Sequence, residues 1–189
     1  MRLKSAFEII ILLLLIFLFP LLQSNATVVK KLTEDEMTLQ AERIVIGKCS
    51  SVRSEWNVDK TRIFTYVTII PQSSLKGDNT STPIVIKQPG GEVDGIGMHV
   101  EGASVFEEGE DVFLFLQKGR NGFHTVLGLS QGKFSIKTDP LTKRKMLFRK
   151  IIQITKTKNG KIIRRIVKVK STDEMFLDDF INRTRNILR

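Results

Sequence analysis

The side chains best suited to chemistry lie in a glycine-rich segment, residues 89–102. His99 lies there together with Glu92, Asp94 and Glu101. Histidine and carboxylates can bind zinc, but a zinc site usually needs three or four such ligands held together. His99 could join these carboxylates, but the segment offers only this one histidine. We therefore predict no catalytic residue, no metal ligand and no cofactor, and keep a metal-dependent enzyme centred on His99 as an alternative.

The same segment has five glycines in fourteen residues, which implies positive φ angles or close approach of the backbone to its neighbours. Gly95 and Gly97 have the spacing that begins a dinucleotide-binding fingerprint, but Val100 stands where its third glycine is required. We predict an ordered loop that closes a β-barrel and binds a partner. The candidate binding residues are Gly90, Gly91, Glu92, Gly95, Gly97 and His99.

The other reactive side chains form no catalytic pattern. His124 lies in a predicted hairpin strand and is expected to be exposed. Cys49 is the only cysteine, so it cannot form an intramolecular disulfide, and its place in an apolar strand predicts a buried, inert thiol. A run of carboxylates is interrupted by Gly109, so we expect a solvated acidic turn and not an acid–base pair; its members are Glu107, Glu108, Glu110 and Asp111.

The first 26 residues have the pattern of a secretory signal peptide. A positive start precedes an apolar run over 9–22, and Ser24-Asn25-Ala26 places small residues where a signal peptidase cleaves. We predict cleavage after Ala26, leaving a single exported domain, residues 27–189, in the periplasm or outside the cell. The alternative is an uncleaved membrane tether, although the apolar run is shorter than the roughly 20 residues of a spanning helix.

The chain is strongly basic, with a net charge of +10. Between positions 143 and 170 there are twelve Lys or Arg and no Asp or Glu. Such a field attracts acidic proteins, anionic lipids, polyanionic sugars or nucleic acid, unless it is simply a solvated surface. The candidate anion-binding residues are Lys143, Arg144, Lys145, Arg149, Lys150, Lys156, Lys158, Lys161, Arg164, Arg165, Lys168 and Lys170.

Nucleic acid is the least expected of these anions. Barrels that bind single strands place aromatic side chains beside a basic groove. Trp56 and Tyr66 are the only aromatic residues here besides phenylalanine, and we expect most of the phenylalanines to lie in the core. Export would also separate the chain from most nucleic acid.

The periodicity of apolar residues predicts a mainly β chain. The polar stretch 54–60 is predicted as a loop. The strand over 61–70 is apolar or threonine on both faces, so we expect both faces to be covered and the strand to end at Pro71. The predicted elements up to residue 138 are a helix from a Thr33–Glu36 capping box to about Glu42, and strands over 43–52, 61–70, 83–88, 111–117, 123–127 and 132–138.

The C-terminal part is predicted as a basic hairpin, residues 146–170, followed by an amphipathic helix, residues 172–188. Asn159-Gly160 is a strong two-residue turn signal, which would place Ile152 opposite Val167. Imperfect alternation of the two faces predicts a bulge near Arg164-Arg165. The predicted fold is therefore an OB-fold-like β-barrel with a short N-terminal helix, a basic C-terminal hairpin and a terminal amphipathic helix.

Six segments, in this order, carry a resemblance: Glu42–Lys48, Arg62–Thr68, Leu75-Lys76-Gly77, the Pro-Gly-Gly at 89–91, Phe106–Leu116 and Gly128–Phe134. Over nearly all of the mature chain they resemble a family of bacterial exported proteins of uncharacterised function. The early strands also resemble, more distantly, the netrin-like module of tissue inhibitors of metalloproteinases, an OB-fold barrel flanked by helices. These resemblances imply a barrel fold and make an exported, matrixin-like protease a candidate partner.

The chain departs from those inhibitors at one decisive point. They bind the protease zinc through a disulfide-fixed cysteine at the mature N-terminus, whereas the expected new terminus here is Thr27 and Cys49 has no partner. The sequence thus predicts an exported, non-catalytic binding module with a protein partner, a secreted metalloprotease among the candidates. The alternatives are a binder of anionic envelope components, lipid or polysaccharide, through the basic hairpin, and the enzyme centred on His99.

Overall fold

The computed structural model describes residues 30–78, 82–156, 162–169 and 175–189. Those from residue 31 onwards belong to one compact unit. The elements in chain order are helix α1 (Glu34–Gln40), strands β1 (Arg43–Trp56), β2 (Ile63–Lys76), β3 (Ile84–Pro89), β4 (Gly91–Val93), β5 (Ile96–Met98), β6 (Asp111–Lys118) and β7 (His124–Val126), a 3-10 turn (Leu129–Gly132), strands β8 (Lys133–Thr138), β9 (Lys145–Lys156) and β10 (Ile162–Val169), and helix α2 (Leu177–Ile187).

Five of the strands close into a barrel. Their order is β1-β2-β3-β7-β6, with β6 pairing back to β1. Neighbours are antiparallel except β3 and β7, which meet in parallel at Ile86 and His124. Strands β8, β9 and β10 continue the sheet beyond β6. This arrangement confirms the predicted fold class: a mainly β chain with an OB-fold-like barrel, a short helix before it, and a hairpin and a helix after it.

Strand β6 lies between two hydrophobic cores, which explains its unbroken apolar sequence. Alternate residues from Val112 to Leu116 point into the barrel, whereas Phe113 and Phe115 point outwards. The outward pair is covered by α2, whose Phe180 ring lies 5.0 Å from that of Phe113, edge to face. Both cores are thus built from one strand, and the helices are needed to complete the outer one.

Strand β2 is covered on one face only, so the prediction that both faces are covered is wrong. Ile63 and Val67 are fully buried inside the barrel, but Phe64 and Tyr66 on the outer face are half-exposed. Aromatic residues and threonine suit any half-buried pleated surface. Their presence therefore does not distinguish a covered face from an open one.

Strands β1 and β2 are longer than predicted. β1 continues to Trp56, so the loop predicted over 54–60 is wrong for its first residues, whose polar side chains alternate along a strand edge. β2 runs through Pro71 because the β1–β2 register shifts between Ile46 and Gly47, and Gly47 pairs with Pro71. A bulge of this kind tolerates a proline, which cannot donate to the ladder.

The two helices begin at different kinds of residue. α1 has the predicted capping box: Thr33 Oγ1 accepts from the backbone N–H of Glu36 at 3.1 Å, and the Glu36 carboxylate accepts from that of Thr33 at 2.9 Å. α2 begins at Leu177, later than predicted, because Phe176 instead forms a β-bridge with Met146 of β9. Residues 172–174 of the predicted helix lie outside the described residues.

Strands β9 and β10 pair antiparallel as predicted, but in a different register. Ile152 pairs with Ile166, whereas a two-residue turn at Asn159-Gly160 would pair it with Val167. The pairing is continuous over Ile162–Val169, so the bulge expected there is wrong. The turn itself, residues 157–161, lies outside the described residues.

Candidate functional site

The glycine-rich segment forms a small hairpin, β4–β5. Val93 pairs with Ile96 around the turn Asp94-Gly95, in which both residues have positive φ, 51° and 77°. These angles are those of a type I′ turn. The prediction of a loop is therefore wrong for residues 91–98, and the Asp-Gly dipeptide was the sequence signal that indicated a hairpin. The prediction of positive φ angles holds for Gly90, Gly91, Gly95 and Gly102.

Gly91 allows this hairpin to pack closely against the barrel. Its φ is 139°, and a Cβ placed there would lie 2.4 Å from Ser54 Oγ and 2.5 Å from Thr65 Oγ1. Those hydroxyls lie 3.0 Å apart, and Thr65 Oγ1 donates to the Gly90 carbonyl at 2.7 Å. Because only glycine fits, side chains of β1 and β2 determine where the hairpin leaves the barrel.

A cleft of about 270 Å³ lies beside the hairpin. Two residues that line the cleft are joined by a hydrogen bond: the side-chain amide of Gln88 donates to the Ser104 carbonyl at 2.8 Å. Of the predicted binding residues, the cleft is lined by Gly90, Gly91, Glu92 and His99. Those at the exposed outer end of the hairpin are Gly95 and Gly97.

The cleft gathers few metal-binding groups. His99 and Glu92 line it, but Asp94 and Glu101 do not. Within the described residues, no group of three or more His, Cys, Asp or Glu is placed to hold a metal ion. A metal-dependent enzyme centred on His99 stays an alternative, but the described residues do not supply a set of ligands for its metal.

Two exposed aliphatic side chains lie at this end of the barrel, and neither of them lines the cleft. Ile96 follows the hairpin turn and is 56% exposed, and Val58 in the β1–β2 turn is 99% exposed. β4 packs against β1 and β2, and Ser54 and Thr65 from those strands line the cleft, so both tips lie at one end of the barrel. We call Val58, Ile96 and the cleft the hairpin end. Neither tip was predicted from sequence, although an isolated aliphatic residue in a polar turn was the available signal.

The β1–β2 turn that carries Val58 is held by Asn57. The Asn57 side-chain oxygen accepts from the backbone N–H groups of Thr61 at 2.8 Å and Arg62 at 2.9 Å. Its backbone N–H donates to the Arg62 carbonyl at 2.8 Å. Side-chain bonds of this type organise a turn locally, so Val58 is presented on ordered backbone.

Glu110 belongs to a buried ion cluster, so the prediction of a solvated acidic turn is wrong for this residue. Its carboxylate accepts from Lys133 Nζ at 2.8 Å, from Lys150 Nζ at 3.0 Å and from Ser135 Oγ at 3.0 Å. The Lys133 side chain is 1% exposed and that of Lys150 is 4% exposed. The partners lie on β8 and β9, too far along the chain for local sequence to show them.

The cluster is neutralised internally. Burial alone would raise the pKa of Glu110, but the charge of Lys133 and the hydrogen bonds from Lys133 and Lys150 outweigh it and lower that pKa. Burial opposes the charge of Lys150 as well, but hydrogen bonds to Glu107 and Glu110 raise its pKa. The shifts at Glu110 and Lys150 favour the charged forms of both groups. At Lys133 burial is the largest effect and lowers the pKa, although the charge of Glu110 and its hydrogen bond oppose that shift. The mutual contacts of these groups suit a structural role.

Three of the candidate anion-binding residues already make contacts with other side chains of this chain. Lys150 belongs to the ion cluster. Arg144 donates to both carboxylate oxygens of Asp178, each at 2.8 Å. The guanidinium of Arg149 lies 4.4 Å from the ring centroid of Phe134. An external anion would have to displace these contacts.

The other basic candidates are placed less tightly or fall outside the description. Those with exposed side chains are Lys143 and Lys145. Those on the paired strands β9 and β10 are Lys156, Arg164, Arg165 and Lys168. Those outside the described residues are Lys158, Lys161 and Lys170, as are Ala26 and the rest of the predicted signal peptide.

The remaining histidine and the cysteine are both shielded. His124 is half-buried, so the prediction that it is exposed is wrong; burial lowers its pKa, and the charge of Arg43 adds to the effect. Cys49 is fully buried, as predicted. Burial raises its pKa to about 11, and the charge of Glu110 adds to the effect. The thiol is therefore protonated at neutral pH and closed to reagents.

In the part of the chain that the structure describes, no helix is long and apolar enough to cross a membrane. Comparisons with protein-family models, with curated proteins and with solved structures find no match to this chain.

Proposed function

We propose that this chain is an exported, non-catalytic module that binds another protein through the hairpin end of the barrel. Export rests on the sequence pattern of residues 1–26. The observation that carries the binding surface is that two exposed aliphatic side chains, Val58 and Ile96, lie at the end of the barrel that also carries the cleft. Contact with a partner would remove this apolar surface from water, and the ordered turns mean that little new structure has to be fixed.

An extended segment of the partner suits this end of the molecule. Among the described strands, β5 pairs with β4 alone, so backbone groups on its outer edge are open to another strand. The cleft beside it offers room for a side chain of that segment. Glu92 and Asp94 are exposed at the same hairpin, which favours a partner segment of neutral or basic character.

A secreted metalloprotease is the first candidate partner, on the strength of the netrin-like resemblance. The expected mature terminus, Thr27, supplies no cysteine for a zinc clamp. Binding would therefore use the hairpin end and an exposed loop of the protease, and would leave the protease zinc uncovered by the N-terminal amine.

The test is crosslinking of the tagged protein in its native cells, followed by mass spectrometry of the crosslinked peptides. We expect one exported protein to be recovered through peptides that contain residues 57–62 or 91–99. Val58→Ser and Ile96→Ser should each lower that recovery by about tenfold, the size of effect expected for an anchor residue.

Leu141→Ser is the matched control, because Leu141 is also highly exposed but lies in the turn between β8 and β9. It should leave recovery unchanged. The surface is wrongly assigned if all three serine variants behave like the parent, or if the crosslinks map to β9 and β10. Recovery of no exported protein at all would overturn the binding function itself.

A further inference from the structure

An aromatic face lies on the outside of the barrel. Phe64 and Tyr66 stand on the open face of β2, and Lys87 of β3 pairs directly with Tyr66. Phe123, which precedes β7, packs edge to face on Tyr66 with a centroid distance of 5.5 Å. We call Phe64, Tyr66, Lys87 and Phe123 the aromatic face; all four side chains are half-buried. We expected most of the phenylalanines to lie in the core, and Phe64 and Phe123 are among those that do not.

The Lys87 ammonium lies over these rings, and no carboxylate of the described residues forms an ion pair with it. Its Nζ lies 4.3 Å from the centroid of Phe64, 5.2 Å from that of Tyr66 and 5.6 Å from that of Phe123. Within the described residues it forms no ion pair, in contrast to the buried Lys133 and Lys150. The rings stabilise the cation through their faces, but they supply no negative charge to neutralise it.

The surroundings of the ammonium are poor in acid. The stretches 61–77 and 82–91, which contain β2 and β3, and 112–126, which contains β7 and all of β6 after its first residue, Asp111, have no Asp or Glu. The acidic residue in register on this face is Glu55, opposite Phe64 on β1, and it lies 3.9 Å from Arg53. The open charge of the face is therefore positive.

We propose that the aromatic face binds an anionic polysaccharide, with a sugar carboxylate on Lys87 Nζ and the C–H surface of the sugar against the rings. The carboxylate would accept a charge-assisted hydrogen bond in partly apolar surroundings, where such bonds are strong. A nucleobase is a poorer fit because base stacking needs a whole open ring face, whereas a sugar C–H group can contact the part of a ring that stays exposed. Here Lys87 covers part of the Phe64 ring, and the rings of Tyr66 and Phe123 pack edge to face against each other.

The experiment is titration calorimetry of the purified chain with galacturonate oligomers, and with uncharged dextran oligomers of the same length, at about 150 mM salt. We expect the galacturonate oligomers to bind and the dextran not to. Lys87→Gln should weaken binding by about tenfold, as expected for loss of a charged hydrogen bond. Lys145→Gln removes the same charge from an exposed site on β9 and should change binding by less than about twofold.

Two more variants keep the result decisive. Lys87→Arg retains the charge and should retain most of the binding, even if Lys87→Gln disturbs the packing of the rings. Glu55→Gln removes the acid on this face and should strengthen binding. Equal losses in Lys87→Gln and Lys145→Gln would show a general electrostatic attraction and overturn the proposal. So would absence of galacturonate binding, or tighter, Lys87-dependent binding of an oligothymidylate, which would assign the face to nucleic acid.

Discussion

Glu110 is the residue on which two buried lysines depend. Lys133 and Lys150 are almost completely removed from water, and both donate to its carboxylate. A buried ammonium without a partner costs several kcal/mol. Loss of the carboxylate would leave the charge of Lys133 uncompensated, whereas Lys150 would keep its ion pair with Glu107. The cluster therefore fixes the turn before β6 against β8 and β9, and it specifies one packing of these three elements.

Removing the charge of Glu110 should destabilise the whole domain. We expect Glu110→Gln to lower the free energy of unfolding by about 3 to 5 kcal/mol, because it leaves buried charge uncompensated. Glu107→Gln is the matched control: Glu107 also contacts Lys150, at 2.7 Å, but its side chain is 54% exposed. Its loss should cost less than about 1 kcal/mol. Denaturant unfolding of the three proteins measures both values.

The double variant Glu110→Gln, Lys133→Met separates this explanation from simple loss of packing. It removes the uncompensated ammonium as well as the carboxylate. Its stability should recover part of the loss seen in Glu110→Gln. A double variant that is less stable than Glu110→Gln would mean that the cluster acts through shape and not through charge.

At the scale of the element, the position of the β4–β5 hairpin depends on a single missing side chain. Gly91→Ala should cost about 3 kcal/mol, because the new Cβ meets two hydroxyl oxygens in a strained backbone conformation. Gly95→Ala in the same hairpin points into open space and should cost only about 1 kcal/mol, the penalty of its positive φ. Denaturant unfolding gives the two costs, and hydrogen exchange of the β4 and β5 amides shows whether the hairpin alone loosens. Equal costs, with no local loosening, would mean that Ser54 and Thr65 do not fix the hairpin.

The same elements show what sequence could and could not predict. The α1 capping box and the apolar strand β6 were predictable because both are local: a cap joins residues three apart, and a strand buried on both faces is apolar throughout. The open outer face of β2 could not be predicted, because burial of a strand face depends on which other element packs against it. The continuation of β2 through Pro71 also depended on a distant partner, the bulge at Gly47 of β1.

At the scale of the molecule, one part of the candidate site was predictable from local sequence and another part depended on distant residues. The glycine-rich segment was predicted as a binding element from its composition, and the structure places four of its six candidate residues around one cleft. Val58 joins them only because barrel closure brings the β1–β2 turn to the same end. The ion cluster and the aromatic face likewise unite residues from separate strands. Composition thus identified an unusual segment, but the surface that surrounds it is a property of the closed barrel.

The stability of the whole domain should fall in acid through the ion cluster. The pKa of Glu110 is lowered in the folded protein from a usual value of about 4.5, so the unfolded chain binds its proton more readily. The stabilisation is fully present above that value and is lost as pH falls towards the folded pKa. The free energy of unfolding should therefore decrease more steeply with falling pH below about 4.5 in the parent than in Glu110→Gln, Lys133→Met. Denaturant unfolding at closely spaced pH values measures the two slopes. Asp178, whose pKa is lowered by its hydrogen bond from Arg144, contributes equally to both proteins, so the difference reports Glu110. Identical slopes would show that Glu110 is not a source of the acid sensitivity.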